Sequence, residues 1–392
     1  ASTKVIMTGG EVKNSVYGGG NQGVVDYNTE VIITDATIKN SIYAGGNGNT
    51  ATVLGNTVVK VGGKTVVGTT SSVKTEGSVF GGGNAAFTGS EDNNNSTAIV
   101  NIAGATIYGN VYGGANTSVV YGKTFTNIGY NSADMTDLTK DDIYIRGTVF
   151  GGGEANASGS EVFDYSFISV TDGIVVNIDG GLYDKFDITG SIFGSGNASS
   201  TKGQSYINIS NYGSNTDIKK NISIQRTNVL TIQNSYFELS GATDRTNEYS
   251  DYLYTLSRID NLKLANDSSL YLQTGANLLK KFTSLKIDLD SEEVAYVTID
   301  KESKSVLKNV DNRLYMLEGK NLNIATNEAS TSYGKVEGMT FFGMYKHGKN
   351  GEQLTGMYNK SYNYNDEAST NDLYLFVKGS YVLGLHHTNH DI

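Results

Sequence analysis

A short phrase that recurs six times constrains the fold more than any other feature of this 392-residue sequence. In each copy a β-branched residue and an aromatic residue lead into a glycine-rich run that usually ends in asparagine. The aromatic residues of successive copies are 26 to 43 residues apart. A constant phrase at unequal spacing is typical of a solenoid, because each repeat forms one coil and insertions leave at its corners. The copies lie at residues 15–21, 41–47, 78–84, 110–116, 148–154 and 191–197.

The residues that precede the phrase have the composition of short strands. Runs rich in β-branched residues, such as 5–7, 99–102 and 175–178, end in glycine-containing turns. Helical repeats would instead show apolar residues at 3.6-residue spacing. The chain also lacks proline, which cannot donate to a β-ladder and is rare in central strands. The sequence therefore predicts an all-β protein in which residues 1–200 form a right-handed parallel β-helix of about six coils.

Stacking of the coils would place equivalent residues above one another, about 4.8 Å apart. The phrase then predicts an interior aromatic ladder, an amide ladder that Glu154 interrupts, and glycines with positive φ at a sharp corner. The aromatic ladder would consist of Tyr17, Tyr43, Phe80, Tyr112, Phe150 and Phe193. The amide ladder would consist of Asn21, Asn47, Asn84, Asn116 and Asn197.

The composition changes near residue 200, which predicts a second region. Glycine falls from 35 residues in 1–200 to 13 in 201–392, and lysine plus arginine rises from 10 to 20. Strand-like runs continue, for example at residues 229–232 and 296–299. Residues 201–392 are therefore predicted either to continue the β-helix less regularly or to form a separate β-rich domain.

Composition also limits the classes of partner that the chain is expected to bind. A net charge of −10 disfavours nucleic acid, because phosphate backbones attract basic surfaces. No apolar run approaches the roughly eighteen residues of a membrane-spanning helix, so we expect no membrane insertion. Cysteine is absent, which excludes disulfides.

Catalytic residues are sparse, and the chain is predicted not to be an enzyme. All four histidines come after residue 340, away from the repeats. The alternative is a polysaccharide lyase or a glycoside hydrolase on the same fold, which would need convergent carboxylates or a basic residue facing a groove. Arg146 and Lys185 are the basic residues best placed for a lyase. The fold by itself does not separate binding from catalysis.

The acidic residues of one insertion raise the possibility of a calcium-binding site. Asp134, Asp137, Asp141 and Asp142 supply the oxygen ligands that this ion prefers. Their spacing is not that of an EF-hand, and the acidic residues do not repeat in register with the coils. A solvated loop is the favoured interpretation, and we expect neither a metal nor another cofactor.

The insertions at residues 87–96, 123–142 and 155–167 are the predicted binding elements, because loops on a rigid scaffold commonly carry function. If they leave from one corner, they line one flank of the solenoid. Exposed alternating aromatic residues can stack on sugar rings or anchor a protein, although they can also cover a groove. The candidate ligand-binding residues are Glu91, Asp92, Phe163, Tyr165, Phe167, Tyr362 and Tyr364.

The Val/Ile-Tyr/Phe-Gly-Gly-Gly-Asn phrase, after turns such as Thr8-Gly9-Gly10, resembles the glycine-rich β-strand repeats of large cell-surface proteins from Gram-positive gut bacteria. The resemblance covers residues 1 to about 200. It implies a secreted protein, extracellular or in the cell wall, with an adhesin-like role. The implied partners are a host glycan or a host or bacterial surface protein. A trimeric phage or appendage fibre is a further alternative.

Overall fold

The computed structural model describes residues 1–72, 75–129, 135–154, 167–197, 199–214, 216–217 and 219–239, and beyond residue 239 the backbones of the strands given below. No α-helix occurs in these residues, and their strands pair largely in parallel. The predicted all-β class with parallel strands is therefore confirmed. The described part of the chain contains no helix that could cross a membrane. The chain divides into two compact units, Ala1–Asn208 and Ile209–Ile392.

The first unit repeats a coil of three strands, and each strand pairs in parallel with its equivalent in the next coil. The first strands are Thr3–Met7, Thr29–Thr34, Thr57–Gly62, Ser96–Ile102, Gly122–Ile128, Gly173–Asp179 and Gln204–Ser210. The second strands are Glu11–Val12, Thr37–Ile38, Val66–Val67, Ala105–Ile107, Ile143–Ile145 and Phe186–Ile188. The third strands, all within the phrase, are Val16–Tyr17, Ile42–Tyr43, Val79–Phe80, Val111–Tyr112, Val149–Phe150 and Ile192–Phe193.

A fourth side follows the phrase in each coil, and single parallel bridges define it. They connect Val25 to Val53, Val53 to Thr88, Thr88 to Val120 and Val120 to Val170. The short strands Ile168–Val170 and Ser200–Thr201 pair at the same side in the later coils. This stacking of equivalent segments in parallel register is consistent with a β-solenoid.

Alternation along each strand builds the core. In Thr29–Thr34, the side chains of Thr29, Val31 and Ile33 are fully buried, whereas the residues between them are half-exposed. This two-residue period places every second side chain inside the coil. The same pattern in the next strand buries Thr57 and Val59 directly above, so that the interior consists of columns of like residues.

The phrase glycines are explained by close approach and not by backbone conformation. None of them has a φ in the left-handed region, so the expected positive φ at this corner is wrong. Instead, a Cβ on Gly81 would lie 2.2 Å from the carbonyl oxygen of Gly113, and a Cβ on Gly113 would lie 2.2 Å from that of Gly151. Successive coils therefore come too close here for a side chain between them.

The insertions do not share one corner, contrary to expectation. Lys123 lies within Gly122–Ile128, which is one of the first strands, so the inserted segment is 129–142 and leaves between the first and second strands. Phe87 and Thr88 belong to the fourth side itself, so residues 89–95 leave after its bridge, and residues 68–77 leave between the second and third strands. Met135 and Leu138 of the 129–142 segment pack on Ala103, with Ile32 beside them.

The second unit also consists of strands. Most of its described strands pair in parallel, and antiparallel pairs occur among those nearer the C-terminus. Parallel pairs include Ile224–Gln233 with Leu256–Ala265 and Val294–Ile299 with Asn321–Thr326. Met339–Lys346 pairs antiparallel with Asp372–Lys378. The remaining strands are Lys219–Ile222, Tyr236–Leu239, Ser269–Leu272, Leu285–Asp288, Val306–Asn309, Tyr315–Glu318, Lys335–Val336 and Ser361–Asn363.

A candidate binding surface on the fourth side of the coils

The six aromatic residues of the phrase form one continuous stack along the third strands. Neighbouring ring centroids are 4.5 to 5.1 Å apart, and the planes of all pairs are within 24° of parallel. The four central rings are buried and the two terminal rings are partly buried. Burial raises the pKa of the Tyr43 and Tyr112 hydroxyls above the ordinary tyrosine value, so both stay protonated. The stack is Tyr17, Tyr43, Phe80, Tyr112, Phe150 and Phe193.

The amides that end the phrase form a second column at the start of the fourth side. Asn47 donates to Asn21 at 3.0 Å, Asn84 donates to Asn47 at 2.9 Å, and Asn116 donates to Asn84 at 2.8 Å. Each amide therefore hydrogen bonds with its neighbour in the adjacent coil.

Glu154 takes the place of the asparagine in the fifth coil without leaving its neighbours unpaired. Asn197 donates to both of its carboxylate oxygens, at 2.9 and 3.1 Å, and the Tyr112 hydroxyl also donates to it. Asn110 in turn donates to the Tyr112 oxygen at 2.9 Å. The carboxylate thus connects Asn197 to Tyr112 of the buried aromatic stack.

A second amide ladder, on the first strands, was not predicted. Asn127 donates to Asn101, Asn177 donates to Asn127, and Asn208 donates to Asn177, at 2.8 to 2.9 Å. The signal was available in the sequence, because each of these asparagines immediately precedes an isoleucine.

Threonines near the start of the first strands hydrogen bond across the interior of the coil to the phrase. The hydroxyls of Thr29, Thr57 and Thr124 donate at 2.6 Å to the carbonyl oxygen of the first small residue of the phrase in their own coil. All three threonines are fully buried. These bonds tie the first strand to the phrase and so fix the position at which the fourth side begins.

Five apolar or aromatic residues are exposed or half-exposed on the fourth side. The bridged residues Val25, Val53, Thr88 and Val120 are buried, whereas at least one chain neighbour of each faces solvent, and Tyr27 is exposed in a bend two residues after Val25. The most exposed of these are Tyr27 at 62% and Val24 at 56%, followed by Leu54 and Phe87 at 36% each. Tyr121 is half-exposed. We refer to these residues as the fourth-side patch: Val24, Tyr27, Leu54, Phe87 and Tyr121.

The best-defined contact within the patch joins residues of two successive coils. The rings of Phe87 and Tyr121 are 5.8 Å apart at an angle of 51°. The Tyr121 hydroxyl donates to the Glu91 carboxylate at 3.4 Å. Burial and the nearby Glu91 charge raise the pKa of Tyr121, so its hydroxyl remains a donor at neutral pH. The patch therefore presents aromatic faces beside a carboxylate.

The charge of this surface is of one sign. The fourth-side segments of the first four coils, residues 21–28, 47–56, 84–95 and 116–121, contain Asp26, Glu91 and Asp92 but no lysine or arginine. Glu91 and Asp92 are exposed. The surface can thus contribute stacking, apolar contact and carboxylate acceptors.

The predicted ligand-binding residues are only partly assembled here. Glu91 and Asp92 lie beside the patch, whereas Phe167 is half-buried and its carbonyl accepts from the Ser200 amide at 2.9 Å. Tyr362 is on the strand Ser361–Asn363, of which only the backbone is described. Phe163, Tyr165 and Tyr364 lie outside the described residues.

The acidic and basic residues considered for chemistry contact one another or the backbone. Lys60 contacts Asp137 at 3.2 Å, and Lys185 contacts Asp142 at 3.6 Å. Arg146 donates to the Thr70 carbonyl at 2.7 Å. Asp134 is not among the described residues, and those that are described contain no group of three or more potential ligands that could hold a metal ion.

Comparisons with protein-family models, curated proteins and solved structures found no match to this chain.

Proposed function

We propose that residues 1–208 form a right-handed parallel β-helix that acts as an adhesin-like binding module through its fourth-side patch. The observation that carries the proposal is the grouping of exposed apolar and aromatic side chains from four coils on one side of a stacked scaffold. Contiguous exposed apolar surface commonly marks an interaction site. The handedness rests on the strong preference of parallel strand connections for the right-handed crossover.

Rigidity of the support favours binding at this surface. The amide column and the parallel bridges hold the backbone of the fourth side in register, and the patch residues stand on that backbone. Side chains that are held in place lose little freedom when a ligand binds, so less affinity is lost to ordering. A host glycan or a surface protein is the proposed class of partner.

The proposed location, extracellular or in the cell wall, rests on the resemblance of the phrase to repeats of Gram-positive cell-surface proteins. The absence of cysteine is compatible with it.

Binding is favoured over polysaccharide cleavage by the placement of the basic residues. Arg146 follows Ile143–Ile145 and Lys185 precedes Phe186–Ile188, and both of these are second strands. Both are therefore on a different side of the coil from the patch carboxylates. Neither Arg146 nor Lys185 therefore meets the carboxylates of Glu91 and Asp92 in one groove.

A matched set of variants tests this proposal. Phe87→Ala and Tyr121→Ala should each reduce binding of the full chain to its best partner on glycan and surface-protein arrays by about tenfold or more. Tyr144→Ala is the control, because Tyr144 is an equally exposed aromatic residue (37%) on the second strands. Equal loss in all three variants, or no loss in the first two, would contradict the proposal. Release of unsaturated or reducing sugar ends would establish an enzyme instead.

A further inference from the structure

The fourth-side patch combines aromatic faces with an unbalanced negative charge. Within the described part of the chain, no lysine or arginine lies within ion-pair distance of Glu91 or Asp92. Asp26 differs, since its carboxylate lies 3.5 Å from the Ala1 amino group. Among the described residues, the carboxylates of Glu91 and Asp92 thus have no ion-pair partner, and Glu91 accepts only the hydroxyl of Tyr121, which lies in the patch itself.

We infer that the ligand of the patch is a lysine- or arginine-bearing segment of a partner protein and not a neutral glycan. The inference rests on the proposed function and deepens it. An acidic surface attracts a basic partner and accelerates its association. A neutral sugar can donate hydroxyl hydrogen bonds to these carboxylates, but it carries no charge to balance theirs and its association is not accelerated by their field.

The aromatic and aliphatic residues fit the same occupant. An ammonium or guanidinium group over an aromatic face gains cation–π energy, and Tyr27 is exposed enough to offer its face. The methylene stems of lysine and arginine cover apolar surface while their charged ends stay in water. Val24 and Leu54 would receive these stems, and Glu91 would receive a charged end.

The dimensions of the patch suit an extended peptide. Its residues come from four successive coils, which at about 4.8 Å per coil span roughly 14 Å. An extended chain rises about 3.3 Å per residue, so about five residues cover this length. Every second side chain of such a peptide would face the patch.

The test measures binding of the full-length chain to two probes. The first probe is a soluble peptide of about nine residues with alternating lysine and serine, and its control is the same peptide acetylated on every lysine. The second probe is a panel of neutral oligosaccharides. The lysine peptide should bind, its affinity should fall at least tenfold between low and high salt, and acetylation should abolish binding.

Variants then localise the interaction. Glu91→Gln combined with Asp92→Asn should weaken peptide binding about tenfold, and Phe87→Ala should do the same. Glu11→Gln combined with Asp184→Asn removes the same net charge from exposed positions elsewhere and should leave affinity unchanged.

Three outcomes overturn the inference. Equal weakening by the control pair would show unspecific charge attraction. Salt-insensitive binding of a neutral oligosaccharide that Phe87→Ala abolishes would leave the proposed function standing with a glycan as ligand. If no patch variant changes binding of any probe, the proposed function falls as well.

Discussion

Phe80 and Tyr112, which are separated by 32 residues in the chain, lie with their ring centroids 4.5 Å apart and their planes 2° from parallel. Both side chains are fully buried. Aromatic pairs in this arrangement contribute beyond the area they bury. Replacing Phe80 removes a ring in contact with neighbours on both sides.

Phe80→Ala should therefore reduce the free energy of unfolding by about 3–5 kcal/mol, from lost burial and the cavity left in the stack. The measurement is chemical denaturation, with Phe87→Ala as the partly exposed control from the same coil. A loss below about 1 kcal/mol would show that the stack does not stabilise the fold.

Gly113→Ala should destabilise the protein by roughly 1–3 kcal/mol, because the new Cβ would meet the backbone oxygen of Gly151, which cannot move aside as a flexible side chain can. Gly23→Ala is the matched control, since a Cβ there has no atom within 4 Å. It should be neutral or slightly stabilising through the unfolded state. Similar melting temperatures for the two variants would refute close approach as the reason for the phrase glycines.

Asn127→Leu should cost about 1–3 kcal/mol, because it leaves the Asn101 oxygen and the Asn177 amide without their partner in a largely buried ladder. Asn49→Leu, at an exposed position, should change stability by less than about 0.5 kcal/mol. Denaturation of both variants under the same conditions checks the difference. Equal effects would mean that the ladder contributes little.

Glu30 should give the protein a pH-dependent increment of stability. Burial alone would raise the pKa of Glu30, but hydrogen bonds from Lys4 and Lys60 outweigh it and lower the pKa. The stabilisation is then complete above the ordinary glutamate value of about 4.3 and is lost as the pH falls through the lowered value of the folded state.

Glu30→Gln should accordingly cost up to about 1 kcal/mol at pH 7, and the difference from the parent should disappear in acid. Glu11→Gln, which removes a more exposed partner of Lys39, should cost less. A difference that stays constant between pH 7 and pH 3 would exclude the ion pairs as its source.

The parts of the fold that the sequence predicted are those where one residue type recurs at one place in the coil. The aromatic residues and the phrase asparagines were found this way, because their position relative to the glycines is constant. The Asn101 ladder is harder to predict, because only the following isoleucine is constant and the other residues of these strands vary. Strand Gly122–Ile128 was mistaken for an insertion since Lys123, Thr124 and Asn127 interrupt its apolar pattern.

The candidate surface was harder to predict. Glu91 and Asp92 belong to a polar run that predicts an exposed loop, but nothing in the sequence separates Val24 and Leu54 from the buried Val25 and Val53 beside them. Single bridges, and not strands, set the register on the fourth side. Only that register shows that these residues come together with Phe87 and Tyr121.

The register of the first strands also determines how this protein can change its length. Thr29 pairs with Thr57, and each is preceded by an asparagine, so deletion of residues 29–56 would restore the same Asn-Thr junction and place Tyr17 directly on Phe80. Removing half of that segment would shift the register of the following coils, so that the aromatic, amide and aliphatic residues would no longer stack on their equivalents. Whole coils are thus the unit by which such a gene could lengthen or shorten its product, and a chain lacking 29–56 should still melt cooperatively in calorimetry.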